Sequence, residues 1–454
     1  MRFVDEFRDV ERARGLARAI HAEALPDRRY RLMEFCGGHT HAIARHGLSD
    51  LLPQQVRLVH GPGCPVCVLP IGRVDMAITL ALEGGVTLCT YADTLRIPAS
   101  QGMTLLKAKS AGADVRAVYS PADALAIARA DTSREVVFMA IGFETTTPPT
   151  ALAIDQACSE GLGNFSVMCN HVLTPPAIMA ILEGAASGQG ASLDGIVGPG
   201  HVSLITGAQA FAPVVSRHGM PLVIAGFEPL DVLQAILLLL RQINDGRAAL
   251  ENQFTRAVTL EGNRKAQARI ERVFQRRESF EWRGLGTLAN SALRLADRYA
   301  PWDAERKFCM HYRTVADHKA CACSEVLRGI RDPRECKIFG TVCTPDHPIG
   351  SCMVSSEGAC AAVYLHRSKP RAEPHREPHV KPQPKPRAEP HPEPHPEPDA
   401  KAPSQNGAPA PEPFQAKDAP CGDAFLPART GLRDPIIPAN PPLSGRDEAI
   451  RTTA

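Results

Sequence analysis

The sequence predicts an α/β protein: two Rossmann-like parallel-sheet domains facing a cleft, a third helical and loop domain, and a disordered carboxyl-terminal tail. Three observations carry this. Between residues 30 and 230, runs rich in β-branched and aromatic residues alternate with turns and helix-period segments, the pattern of a parallel sheet with crossover helices. Six of the fourteen cysteines crowd into residues 321–360. From residue 367 the composition changes to "KPRAEPHREPHVKPQPKPRAEPHPEPHPEP", where proline at every second or third position forbids helices and sheet ladders.

The strand runs are "YRLMEF", "VRLVH", "GVTLCTY", "DVRAVY", "EVVFMAI", "FSVMCN", "DGIVG" and "PLVIAGF". They set the first α/β domain at 31–142, the second at 143–244, and the third at 245–366. A helix over residues 3–21, with Val4, Phe7, Val10, Leu16 and Ile20 on one stripe, is expected to pack with that third domain as part of a segment spanning 1–30. A second helical stretch is expected from about 246 to 300, with Ile270, Val273 and Phe274 on its apolar face. The run "VLQAILLLL" at 232–240 is too short to span a bilayer and reads as a buried helix.

Charge excludes whole classes of function. With 51 basic and 49 acidic side chains there is no electrostatic footprint for nucleic acid or an anionic membrane. The amino terminus alternates charge where a secretory signal would be apolar, so a cytoplasmic protein is expected. A reducing compartment makes fourteen cysteines a chemical resource more than a disulfide framework. No glycine-rich phosphate loop with its lysine occurs.

In open α/β sheets ligands bind beyond the carboxyl ends of the strands. The segments found there are "CGGHTH", "GPGCPVC", "ADTLRIP", "GFETTTP", "NHVLTPP", "GPGHVS" and "GFEPLD". Cys36 follows a strand and precedes a helix carrying His39 and His41, a position that favours thiolate through the helix dipole. Cys64 and Cys67 follow the next strand, so three sulfurs are able to meet. An open metal or redox site, a closed zinc site using Cys36, Cys64, Cys67 and His39, and a simple thiol–disulfide pair all suit these residues. Glu144, His171 and His201 also follow strands. Gly-Phe-Glu occurs at 142 and again at 226, hinting at two related halves.

The carboxyl-side cysteines, Cys321, Cys323, Cys336, Cys343, Cys352 and Cys360, follow the spacing C-x-C-x12-C-x6-C-x8-C-x7-C. It lacks the paired C-x2-C knuckles of zinc ribbons. Single cysteines on turn-rich loops suit a [4Fe-4S] cluster with a neighbouring dithiol, and spacing leaves open which two are spare. The histidines His375, His379, His391 and His395 of the tail suit loose transition-metal binding, against the simpler reading of a solvated low-complexity extension.

Together "FCGGHTH", "GPGCPVCV", "IGFETTTP", "GPGHVS" and "CTPDHPIGSCMVSSEGAC" resemble the hydrogenase maturation HypD family from the amino terminus to about residue 366. The resemblance implies two α/β domains plus a third that holds a [4Fe-4S] cluster. It implies a scaffold on which the Fe(CN)2CO unit of [NiFe] hydrogenases is assembled, with a small HypC-type chaperone as partner and cyanide supplied by a HypE-type partner. Cys36 would bind the iron being assembled, with Cys64 and Cys67 as the opposing thiol pair. Cys321, Cys336, Cys343 and Cys360 would hold the cluster, and Cys323 and Cys352 would form a redox disulfide. The competing readings are a stand-alone iron–sulfur disulfide reductase and a zinc-stabilised α/β interaction protein.

Overall fold

The computed structural model describes residues 5–367; the His/Pro-rich tail lies outside the described residues. All eight strand runs form strands: β1 (Tyr30–Glu34), β2 (Val56–His60), β3 (Thr87–Thr90), β4 (Val115–Ala117), β5 (Val136–Gly142), β6 (Phe165–His171), β7 (Gly195–Pro199) and β8 (Leu222–Ala225). A further short strand, β9 (Leu250–Asn252), extends one sheet. Strands β5 and β6 are buried at every position, as expected of parallel strands covered on both faces.

These strands assort into two parallel sheets, but not as two successive halves. One sheet has the order β2-β1-β7-β8-β9 and the other β4-β3-β5-β6. The second sheet is inserted between β2 and β7 of the first. A division at residue 142 therefore falls between β5 and β6, which pair from Val136↔Phe165 to Gly142↔His171. Local patterning specifies a strand, whereas its sheet is decided by long-range pairing that periodicity does not encode. The two sheets share a topology, since in each the chain runs first to one side of the founding strand and then to the other.

The amino-terminal helix, Val10–Glu23, departs from expectation in its partner. It packs on the helix Pro229–Asn244, away from the cysteine-rich segment. Ile20 is fully buried there beside Ile236, Leu239, Leu240 and Ile243, with Leu16 against the same cluster. Each such aliphatic side chain contributes about 1.5–3 kcal/mol on burial, so the long leucine- and isoleucine-rich face of Pro229–Asn244 holds the contact. Val10, placed on the same stripe from sequence, is instead exposed.

The stretch 246–300 is α-helical only over Arg264–Val273, with a 3-10 turn starting at Asp297. Besides β9, the remainder contains two antiparallel pairs, β10 (Phe274–Arg276) with β13 (Leu293–Leu295) and β11 (Ser279–Trp282) with β12 (Gly286–Ala289). Phe280 and Trp282 alternate inward, and Gly284 and Gly286 take positive φ at the turn, so a period-two pattern was hidden by surrounding charge. Among the described residues no helix is long and apolar enough to cross a membrane.

The cysteine-rich segment is made of turns and short helices, Cys323–Leu327 and Ala359–Arg367 among them. Its core is not separate from that of the sheets. Cys323, Cys352 and Met353 belong to the same apolar cluster as Met33 and Val59 of the first sheet and Leu88 and Met139 of the second. Arg96 donates to the carbonyls of Pro345 (3.2 Å) and Val354 (2.6 Å), and the helix Ala359–Arg367 packs on Gly37–His46.

A buried ion network ties the β10–β13 region to the second sheet. Arg73 donates to Glu305 through both terminal nitrogens (2.8 and 2.7 Å), to Asn170 Oδ1 (2.5 Å) and to the Cys169 carbonyl (3.0 Å). Arg277 pairs with the same carboxylate. Burial alone would raise the Glu305 pKa, but Arg73 and Arg277 together hold it down at about 2. Removing one partner leaves buried charge unpaired, so Glu305→Gln should cost about 3–5 kcal/mol, read as a lower urea midpoint near neutral pH. Because the folded pKa is depressed, the difference from the parent chain should be complete above the ordinary carboxylate range and shrink as pH falls towards about 2.

Candidate functional site

The first sheet changes direction between β1 and β7, which pair with each other and then lead away to opposite sides. Loops leaving the carboxyl ends of such strands diverge and open a crevice. Cys36 follows β1, and His201 follows β7.

Cys36 caps the helix Gly37–His46 with extended backbone, φ −144°. Its sulfur accepts backbone N–H groups from Gly38 and His201, each at the start of a helix, and lies 3.6 Å from His201 Nδ1. Two helix amino termini therefore converge on one sulfur, where the sequence predicts only the helix that Cys36 itself precedes. The expected low pKa does not follow. Burial pushes the thiol up to about 12, helped by the nearby carboxylates of Glu357 and Glu34, and overcomes both N–H groups. Desolvation depends on what covers the sulfur from remote parts of the chain, so helix position alone misjudged it.

Beneath Cys36 lies Glu34, fully buried. It accepts hydrogen bonds from the Cys36 N–H (3.1 Å) and from Thr40, and contacts His60 Nδ1 at 2.8 Å. Burial raises its pKa in spite of these partners. His39 is also fully buried. Its Nε2–H donates to the carbonyls of Ala225 (3.1 Å) and Gly226 (3.0 Å), Nδ1 has no hydrogen-bond partner, and burial lowers its pKa to about 4. A neutral, anchored imidazole results.

The loop "GPGCPVC" is pressed against this site. The Gly37 N–H donates to the Gly63 carbonyl (3.0 Å), and a Cβ on Gly63 would lie 2.5 Å from the Cys36 nitrogen. Glycine is needed here for close backbone approach. Cys64 and Cys67 are joined as a disulfide, with Cα atoms 5.3 Å apart across the one-turn helix Pro65–Val68. Both are buried.

The carboxyl-side segment reaches both places. Ser351 Oγ donates to the Cys67 carbonyl (2.7 Å). A Cβ on Gly358 would meet the Cys352 carbonyl at 2.4 Å and Cys67 Sγ at 3.1 Å, and one on Gly37 would meet Glu357 Cβ at 2.5 Å. Residues 351–358 thus bridge the disulfide and the helix that begins at Cys36. Glu357 escaped sequence reasoning, although its place in "SSEGAC" was the available signal.

Among the six carboxyl-side cysteines, Cys323 shares sulfur hydrogen bonds with Cys321, Cys352 and Cys360. That bond from Cys323 pulls Cys321 down to about 7 and pushes Cys323 up. Cys343 Sγ accepts the Ile349 N–H (3.4 Å), and Cys336 lies near Cys343 with Sγ 3.9 Å from the Ala320 carbonyl. A Cβ on Gly350 would sit 2.4 Å from Cys321 Sγ and 2.5 Å from Cys323 Sγ, so glycine lets the sulfurs close together. Cys323 and Cys352 are free thiols. Among the described residues no three His, Cys, Asp or Glu side chains converge closely enough to hold a metal ion. The donor set is nevertheless all sulfur, gathered by one segment, and fits an iron–sulfur group in type.

Glu144 and His171 sit apart from these sulfur contacts, at the end of the second sheet. The Glu144 carboxylate accepts the Thr174 N–H (2.8 Å) and hydroxyl (2.9 Å), capping the helix Thr174–Ala186, and burial raises it to about 7. His171 Nε2 meets Thr150 Oγ1 at 2.9 Å. His41 lies edge-on to His366 at 5.3 Å.

Fold and site together define a two-sheet α/β thiol protein, with a cysteine at a topological switch point and a cysteine-rich segment packed behind its disulfide. A family profile described as "Hydrogenase formation hypA family", HypD, matches residues 11–367. The hydrogenase maturation factor HypD of Azotobacter vinelandii is 61% identical over 373 residues, 82% of this chain and 98% of that one. Those of Cupriavidus necator and Escherichia coli are 58% and 44% identical, covering 80% and 81% of this chain and 97% and 99% of theirs. The chain belongs to the HypD family.

The raised Cys36 pKa has a direct consequence for reactivity, because thiolate is the nucleophile. Near neutral pH, iodoacetamide should label Cys36 at least about tenfold more slowly than exposed Cys309, with a rate still climbing in strongly alkaline solution. Peptide-resolved mass spectrometry reads both sites; equal rates near neutrality would show Cys36 to be solvated thiolate.

Proposed function

We propose that this protein is a [NiFe] hydrogenase maturation factor that holds the iron of the Fe(CN)2CO unit at Cys36 while its ligands are installed. The observation that carries the reading is the sulfur environment: Cys36 between two helix amino termini, beside His201 and against the Cys64–Cys67 loop. Low-spin iron with cyanide and carbonyl ligands is soft and favours thiolate, and cyanide nitrogens call for N–H donors. His201 is exposed, so cargo and partner have access from solvent. The names of the relatives, hydrogenase maturation factors, agree with this role.

A small HypC-type chaperone would share the iron through a cysteine of its own, and a HypE-type partner would deliver cyanide. Cys321, Cys336, Cys343 and Cys360 would hold a [4Fe-4S] cluster, which when bound supplies one-electron transfer. Cys323 and Cys352 would be the dithiol beside it. Reduction of the Cys64–Cys67 disulfide consumes two electrons and two protons and yields two thiols. The packing of residues 351–358 on Cys67 supports communication between that disulfide and the carboxyl-side thiols. The same packing favours a second reading, a stand-alone disulfide reductase, which would turn over a disulfide substrate with no hydrogenase partner present.

In the anaerobically purified complex with the small chaperone, infrared spectra should show cyanide and carbonyl stretches that vanish with Cys36→Ala. Bands that persist in that variant would remove Cys36 as the iron ligand. In the same preparations Cys336→Ser should lower acid-labile sulfide while Cys309→Ser leaves it unchanged; zinc in place of iron and sulfide in the parent chain would favour the zinc-stabilised reading.

A further inference from the structure

We infer that Phe227 is a positioning residue for the Cys36 site, acting through His201; its importance for iron assembly rests on the function proposed above. The Phe227 ring stacks on His201 with centroids 3.8 Å apart and planes at 23°, and on His39 at 4.9 Å and 29°. His39 is already fixed by two carbonyls, whereas His201 is exposed. An exposed imidazole samples several rotamers unless something holds it. The aromatic face fixes the plane in which Nδ1 lies 3.6 Å from Cys36 Sγ.

Two glycines make room for this ring. A Cβ on Gly38 would stand 2.8 Å from Phe227 Cδ1 and Cε1, and one on Gly200 would stand 3.0 Å from Cζ. The motifs "CGGHTH", "GPGHVS" and "GFEPLD" therefore describe one packed unit: two glycines, two histidines and the phenylalanine between them. Phe254 meets Phe227 edge-on at 5.9 Å. Arg256 lies over Phe254 (4.6 Å) and Phe7 (3.9 Å) while paired with buried Asp231, so the ring is braced from behind.

The test uses the full chain, reduced and free of iron, and reads the iodoacetamide rate of Cys36 by peptide-resolved mass spectrometry. It requires neither partner nor cargo, so it can fail while the proposed function stands. Phe227→Leu should slow labelling roughly two- to tenfold, the size of one lost hydrogen bond. His201→Ala should slow it by the same factor, the double variant no further, and Phe227→Tyr should restore the parent rate. Should Phe227→Leu fail to give a folded chain by circular dichroism, Phe227→Met, lacking an aromatic face, takes its place. An unchanged rate, an effect that survives in the His201→Ala background, or a Tyr variant as impaired as Leu would overturn the inference.

Discussion

The pairing of β1 with both β2 and β7 is the constraint on which the site depends. Because the chain leaves β1 for one neighbour and returns beside it on the other, the loops after β1 and β7 part at a common edge. Each then starts a helix, and the free N–H groups at the two amino termini face the same sulfur. A sheet wound in one direction only would carry those loops away in parallel. The convergence on Cys36 is thus a property of topology before it is a property of any side chain.

Two further contacts turn that crevice into a site with depth. Gly63 brings the disulfide loop against the backbone of Cys36, and residues 351–358 bring the carboxyl-side cysteines against Cys67. Both depend on glycines whose missing Cβ is occupied by a neighbour. Burial is then the dominant electrostatic effect: it raises Glu34 and Cys36 and lowers His39. Binding a soft cation to Cys36 would release its proton and place thiolate where two N–H groups already point.

Much of this was legible in the sequence, and the rest was hidden for physical reasons. Strand runs such as "EVVFMAI" and the turn chemistry after them are local, and the structure has a strand at each of the eight. The cysteines of "CGGHTH" and "GPGCPVC" were expected to meet, and their loops are hydrogen-bonded to each other. Sheet membership, the docking of Val10–Glu23 on Pro229–Asn244 and the desolvation of Cys36 all depend on remote contacts, which composition and periodicity do not carry. The repeated Gly-Phe-Glu was visible as a pattern only. In the structure the copies fall at different places: the first ends β5, beside the founding strand β3 of its sheet, and the second follows β8, one strand further from β1; Phe143 packs near Trp282 (6.1 Å) while Phe227 stacks on histidines.

The central claim is that the carboxyl-side cysteines and the switch-point thiols form one continuous site. Reducing the chain, treating it with a short bis-thiol cross-linker and mapping the joined peptides tests this most directly. The account predicts a link between Cys67 and Cys352 as well as links within each group, and none to Cys309. Links confined to Cys64–Cys67 and to residues 321–360 would contradict it.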